Sequence, residues 1–95
     1  MTTFDVAHLR EQGQNLIIVP VNRDYGSKTS TEQEQILLEL ELAANRAGLA
    51  GHAVAVWDAG SGRMAFRGPS AWRSFLEGLS LPLIAANINK RITVG

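Results

Sequence analysis

LIIVPVNRDYGSKTSTEQEQILLELELAANRAG, residues 16–48, passes from a β-branched apolar run into a helix across one short loop. Leu16 to Val21 reads as a strand. Ile17, Val19 and Val21 fall on one face, Leu16, Ile18 and Pro20 on the other, and a strand apolar on both faces belongs in mid-sheet with both sides covered. Pro20 complicates this, because it brings no N–H to a ladder and usually sits at an edge or a bulge. The helix can be capped by Ser30 or Thr31, with Gln33 or Glu34 three residues on as the capping-box partner. Ile36, Leu40, Ala43 and Ala47 recur at helical spacing, broadened by Leu37 and Ala44, and Gly48 falls where a left-handed C-cap would end it.

The loop between strand and helix has the outline of a phosphate-binding loop, but the spacing is wrong. That motif is G-x-x-x-x-G-K-[ST], whose backbone amides wrap the phosphates before the lysine reaches them. If Gly26 is the second glycine, Val21 stands in the place of the first, and Lys28 comes one residue late. A turn feeding a capped helix is the reading that fits. Any open helix N-terminus with nearby cations can still hold an anion. The candidate ligand-binding cluster is therefore Arg23, Tyr25 and Lys28, joined by Asp58 and Arg63 if the following hairpin turn lies at the same end of the sheet.

That hairpin is HAVAVWDAGSGRMAFRG, residues 52–68, with Gly60 and Gly62 in its turn. Val54 and Val56 share one face, and Ala53, Ala55 and Trp57 the other. Pro69 opens a second helix, and Trp72, Phe75, Leu76 and Leu79 give it an aromatic face. LPLIAANI reads as a final strand, with NKRITVG as its continuation or a returning edge. Residues 1–14 are open between helix and strand; Phe4, Val6 and Leu9 would line one face of a short helix ended by Gly13. The order strand–helix–strand–strand–helix–strand predicts one α+β domain over residues 1–95. Its expected form is a two-layer, ferredoxin-like βαββαβ sandwich, two helices on one face of a mainly antiparallel sheet, with an extra N-terminal helix as an option.

Composition narrows the function. Nine basic residues balance nine acidic ones, so the basic excess that drives nucleic-acid or membrane-surface binding is missing. With no cysteine, neither a disulfide frame nor a thiolate nucleophile is available. The apolar runs are too short to span a membrane, and the polar N-terminus is no secretory signal, so a cytoplasmic location is expected. His8 and His52 have neither metal-ligand spacing nor a catalytic partner, since His52 and Asp58 lie about 20 Å apart along one strand. No catalytic residue, metal or cofactor is expected. The strand order also permits an RNA-recognition fold, but SGRMAFRGP and LIIVPVN lack its stacking aromatics. Arg63, Arg67, Lys90 and Arg91 are the cations left to that alternative.

With both helices on one face, the other would expose Leu16, Ile18, Ala53, Ala55, Trp57 and Ala65. A patch of that size needs cover. The expected cover is a second copy of the chain, a homodimer with Ile18, Ala53, Ala55, Trp57 and Ala65 at its interface, or else the termini. The expected function is a non-catalytic module that self-associates or binds another protein or a small ligand. The alternative is a small anion-binding domain or enzyme built on the Arg23–Lys28 loop with Asp58 and Arg63. Nucleic-acid binding comes third.

Overall fold

The computed structural model describes residues 2–94. Two strands open the chain, β1 (Thr2–Glu11) and β2 (Gln14–Pro20). A 3₁₀ turn (Arg23–Ser27) leads into α1 (Ser30–Arg46), followed by the hairpin β3 (His52–Asp58) and β4 (Met64–Arg67). A second 3₁₀ turn (Ser70–Trp72), the short helices α2 (Arg73–Glu77) and α3 (Leu81–Ala86), and β5 (Lys90–Val94) complete it. The fold is α+β around a five-stranded sheet of order β4-β3-β2-β1-β5. β2 and β3 run parallel and every other pair antiparallel.

One open reading is settled and two expectations change. The N-terminal segment is a strand, and its alternation explains why: Phe4 and Val6 join the core on one face, Ala7 and Leu9 the core on the other. Glu11 pairs with Gln14, so the connection is the two residues Gln12 and Gly13, both with positive φ (50° and 77°). Such a primed turn matches the twist of the flanking strands, and glycine enters it without steric cost. Residues 81–86 form a helix instead of a strand. Ser80 Oγ accepts from the Leu83 N–H at 3.3 Å, and Pro82 stands in the first turn, where no intrahelical N–H is needed. Lastly, the helix crossover joins adjacent strands β2 and β3, whereas the split βαβ unit of a ferredoxin-like sheet places another strand between them.

Helices cover both faces of the central strands. On one, α1 brings Leu40 and Ala44 against Val6, Ile17, Val19 and Ala53. On the other, Leu76 of α2 and Ile84 of α3 meet Ala7, Leu16, Ile18, Val54 and Val56. The register Ile17↔Ala53 and Ile18↔Val54 puts Ile18 on the opposite face from Ala53 and Ala55. The expected patch therefore does not exist as one surface. Ile18, Ala53 and Ala55 are buried within the chain, while Trp57 and Ala65 are half-buried. The ground for a face-to-face dimer through these five residues falls away. β2 does lie mid-sheet with both sides covered, and Pro20 is accommodated as its last residue.

Candidate functional site

The parallel strands β2 and β3 end side by side, and both deliver the chain to one corner. The ladder runs one step past Pro20, where the Val21 N–H donates to the Val56 carbonyl at 2.8 Å. Asn22 then caps the 3₁₀ turn by accepting from the Asp24 N–H at 3.0 Å. This turn folds Tyr25 inward onto Trp57, with ring centroids 4.9 Å apart and planes tilted by 57°. Tyr25 is buried, and its hydroxyl donates to the Gln33 carbonyl at 2.7 Å. The Gln33 amide returns the contact, donating to the Tyr25 carbonyl at 2.9 Å and to the Lys28 carbonyl at 3.3 Å. Burial pushes the Tyr25 hydroxyl pKa up, Glu34 adding to the effect and Arg67 opposing it.

Against this aromatic pair lies a hollow of about 320 Å³, lined by Arg23, Gly26, Ser27, Trp57, Asp58, Ala59 and Gly60. Gly26 is required there by close approach: a Cβ on it would sit 2.5 Å from the Trp57 Nε1. The indole N–H makes no hydrogen bond among the described residues and faces solvent rather than being buried unpaired. The Asp58 carboxylate closes the hairpin turn through Oδ1, which accepts from the Gly60 N–H at 2.7 Å, and faces Arg23 through Oδ2 at 3.4 Å. The Arg23 side chain is 65% exposed, so this ion pair contributes less than about 1 kcal/mol and opens readily.

The expected cluster is thus only partly assembled. Arg23 and Asp58 meet, and Tyr25 stands behind them as the packing partner of Trp57. Lys28 and Arg63 do not line the hollow. Ser27, a further polar group of the anion-binding loop expected from the sequence, does line it, as do Gly26 and Gly60, read from the sequence only as loop and turn glycines, and Ala59. Gln33, which ties the turn to α1, was legible only as a helix-cap partner.

The N-terminus of α1 is already occupied by its own anion. Thr29, one residue before the expected caps, accepts from the Glu32 N–H, and Glu32 Oε1 accepts from the Thr29 N–H at 3.1 Å. The backbone hydrogen bond, with the one from the Thr29 hydroxyl, holds the Glu32 carboxyl below the usual carboxylate range; Lys28 reinforces it. A phosphate arriving at these two amides would have to displace the Glu32 carboxylate from one and the Thr29 hydroxyl from the other.

A second hollow, of about 610 Å³, lies between α1 and β4 and is lined by Glu34, Leu37, Phe66, Arg67, Gly68, Pro69, Ser70 and Arg73. Its central cation is spent internally: Arg67 donates to Gln33 Oε1 and Ser30 Oγ at 3.1 Å each, and to Glu34 at 2.8 Å. The histidines have structural partners. His8 Nε2 lies 2.9 Å from the Ala50 carbonyl, and His52 Nδ1 lies 3.3 Å from Glu41. No cluster of three metal-ligating side chains occurs among the described residues. The four cations left to nucleic-acid binding divide between opposite sides of the sheet, Arg67 on β4 and Arg63 just before it, Lys90 and Arg91 on β5. No helix is long and apolar enough to cross a membrane among the described residues.

No protein-family model, curated protein or solved structure matches the chain.

Proposed function

We propose that the chain is a non-catalytic binding module that takes a small planar, anionic molecule in the hollow beside Trp57. The observation that carries this reading is a solvent-facing indole N–H, unpaired among the described residues, beside a loose Arg23–Asp58 pair. Each feature suggests a complementary ligand group. The indole offers a flat wall for a ring and one donor for an acceptor on it. Arg23 offers a planar fork for a carboxylate or phosphate, and little is lost when it leaves Asp58. A hollow of about 320 Å³ stands at the lower end of the range for small-molecule sites, which fits a single ring system with one charged substituent.

The location supports the same reading, since the carboxyl ends of parallel strands are where α/β sheets place ligands. A general anion site at the α1 N-terminus is less well supported, because the Glu32 carboxylate and the Thr29 hydroxyl already take two of its N–H groups. The larger hollow has its Arg67 and Glu34 charges satisfied by one another. Thermal denaturation with a panel of planar carboxylates and phosphates tests the proposal. A binder should raise the melting temperature of the wild type and lose that effect in Arg23→Ala. A panel without a single binder, or a shift fully retained in Arg23→Ala, would contradict it.

A further inference from the structure

The sheet has two edges, and they are not alike. β5 carries the adjacent exposed cations Lys90 and Arg91, a common guard against strand addition. β4 has no such pair, because its one charged side chain, Arg67, is folded back onto α1. The Ala59 N–H donates to the Arg63 carbonyl at 2.7 Å, so the hydrogen-bonded pairs of this antiparallel ladder are the odd-numbered ones, Trp57↔Ala65 and Ala55↔Arg67. The N–H and C=O groups of Met64 and Phe66 therefore point away from β3. They face the open edge, beside the 610 Å³ hollow walled by α1 and by Ser70 and Arg73.

The next step of the ladder confirms which groups point outward from β3. Opposite Ala53 the chain has already turned away at Pro69, and the Ala53 N–H is met instead by Glu41 Oε1 at 2.9 Å. The edge is thus plugged by a side chain where β4 has left it, and left unplugged along β4 itself.

We propose that β4 pairs antiparallel with β4 of a second copy of the chain, joining two five-stranded sheets about a two-fold axis. Charge selects both the occupant and the register. The charges around the hollow are paired within the chain, Arg67 with Glu34 and Arg73 with Glu77, so it is no basic groove for an acidic peptide, and a second copy of the same charge-balanced edge meets it without an uncompensated charge. Only registers that oppose outward groups to outward groups can form hydrogen bonds. Phe66 opposite Phe66 does so, with Met64 opposite Gly68, and it places Arg67 across from Ala65. Sliding by one allowed step sets Arg67 against either Arg63 or the second copy's own Arg67, like charges directly opposed. Sliding further runs the strand into the turn at Gly60–Gly62 or into Pro69. The two-fold keeps both α1 helices on one side of the joined sheet, where exposed Leu38 stands next to Leu37 at the flank of the same hollow.

The test uses the chain's lack of cysteine. Facing residues of a hydrogen-bonded antiparallel pair lie about 5.5 Å apart between Cα atoms, within the reach of a disulfide. Phe66→Cys should oxidise to a covalent dimer, while Thr93→Cys, exposed on the other edge strand, should not. In the wild type, sedimentation should show a dimer at about 100 μM, and the Met64 and Phe66 amides should exchange more slowly as concentration rises. A monomer at that concentration, with exchange of these two amides independent of it, would overturn the proposal, as would Thr93→Cys cross-linking in place of Phe66→Cys. The wild-type measurements decide the matter even if Phe66→Cys fails to fold.

Discussion

Tyr25 carries the corner that makes the pocket. It is the only tyrosine in the chain, so its titration can be followed directly by phenolate absorbance. Its folded pKa is raised by burial, so the hydroxyl should ionise only above the ordinary value of about 10. The linkage has a definite sign. Below about pH 10 folded and unfolded chains both hold the proton and its contribution is fully present; above it the unfolded chain loses the proton first, and stability falls as pH rises through the folded value. Tyr25→Phe should remove that alkaline slope and, through the lost bond to the Gln33 carbonyl, cost about 1 kcal/mol in urea denaturation at neutral pH. Gly26→Ala tests the same corner differently. Its methyl group meets Trp57 Nε1, so the indole must shift, and tryptophan emission should change without loss of the fold.

At the scale of elements, α1 depends on its cap and on one buried stripe. Thr29→Ala removes the capping box and should cost about 1 kcal/mol. Leu40→Ala, at a fully enclosed site, should cost about 2–5 kcal/mol. Glu41 offers a less familiar test. Glu41→Ala leaves the Ala53 N–H at the bare end of the β3 edge without its partner, which should cost about 1–3 kcal/mol, more than an exposed acidic residue on a helix surface would suggest. Chemical denaturation checks all three.

For the whole molecule, the sequence was most readable where period and punctuation agreed. The strand at Leu16, the helix ending at Gly48 and the hairpin around Gly60–Gly62 all had both signals. It misled where a short apolar run carried no period of its own. LPLIAA fits strand or helix alike, and the Ser80–Pro82 start signal, not the hydrophobicity, settles the matter. That one element changes the architecture, because α3 with α2 covers the second face and so removes the open surface expected around Trp57. The N-terminal strand was concealed by a Gln–Gly turn, less conspicuous than Asn–Gly but equally short. Of the candidate site, the charged members Arg23 and Asp58 were legible because their positions follow from strand ends. Gly26 and Gln33 were not, since a close approach and a backbone-to-side-chain tie depend on how a turn packs and leave no spacing pattern behind.

The most direct trial of the proposed pocket is a proton–nitrogen correlation spectrum recorded while planar carboxylates and phosphates are titrated in. The Trp57 indole resonance, separated from that of Trp72 by a Trp72→Phe variant, reports on the free donor itself. A true ligand should move that resonance together with the Gly26, Ala59 and Gly60 amides, saturably and with the Thr29 and Glu32 amides of the α1 cap unmoved. If ligands instead shift the α1 cap, or leave the Trp57 indole where it was, the pocket beside Trp57 is not the binding site.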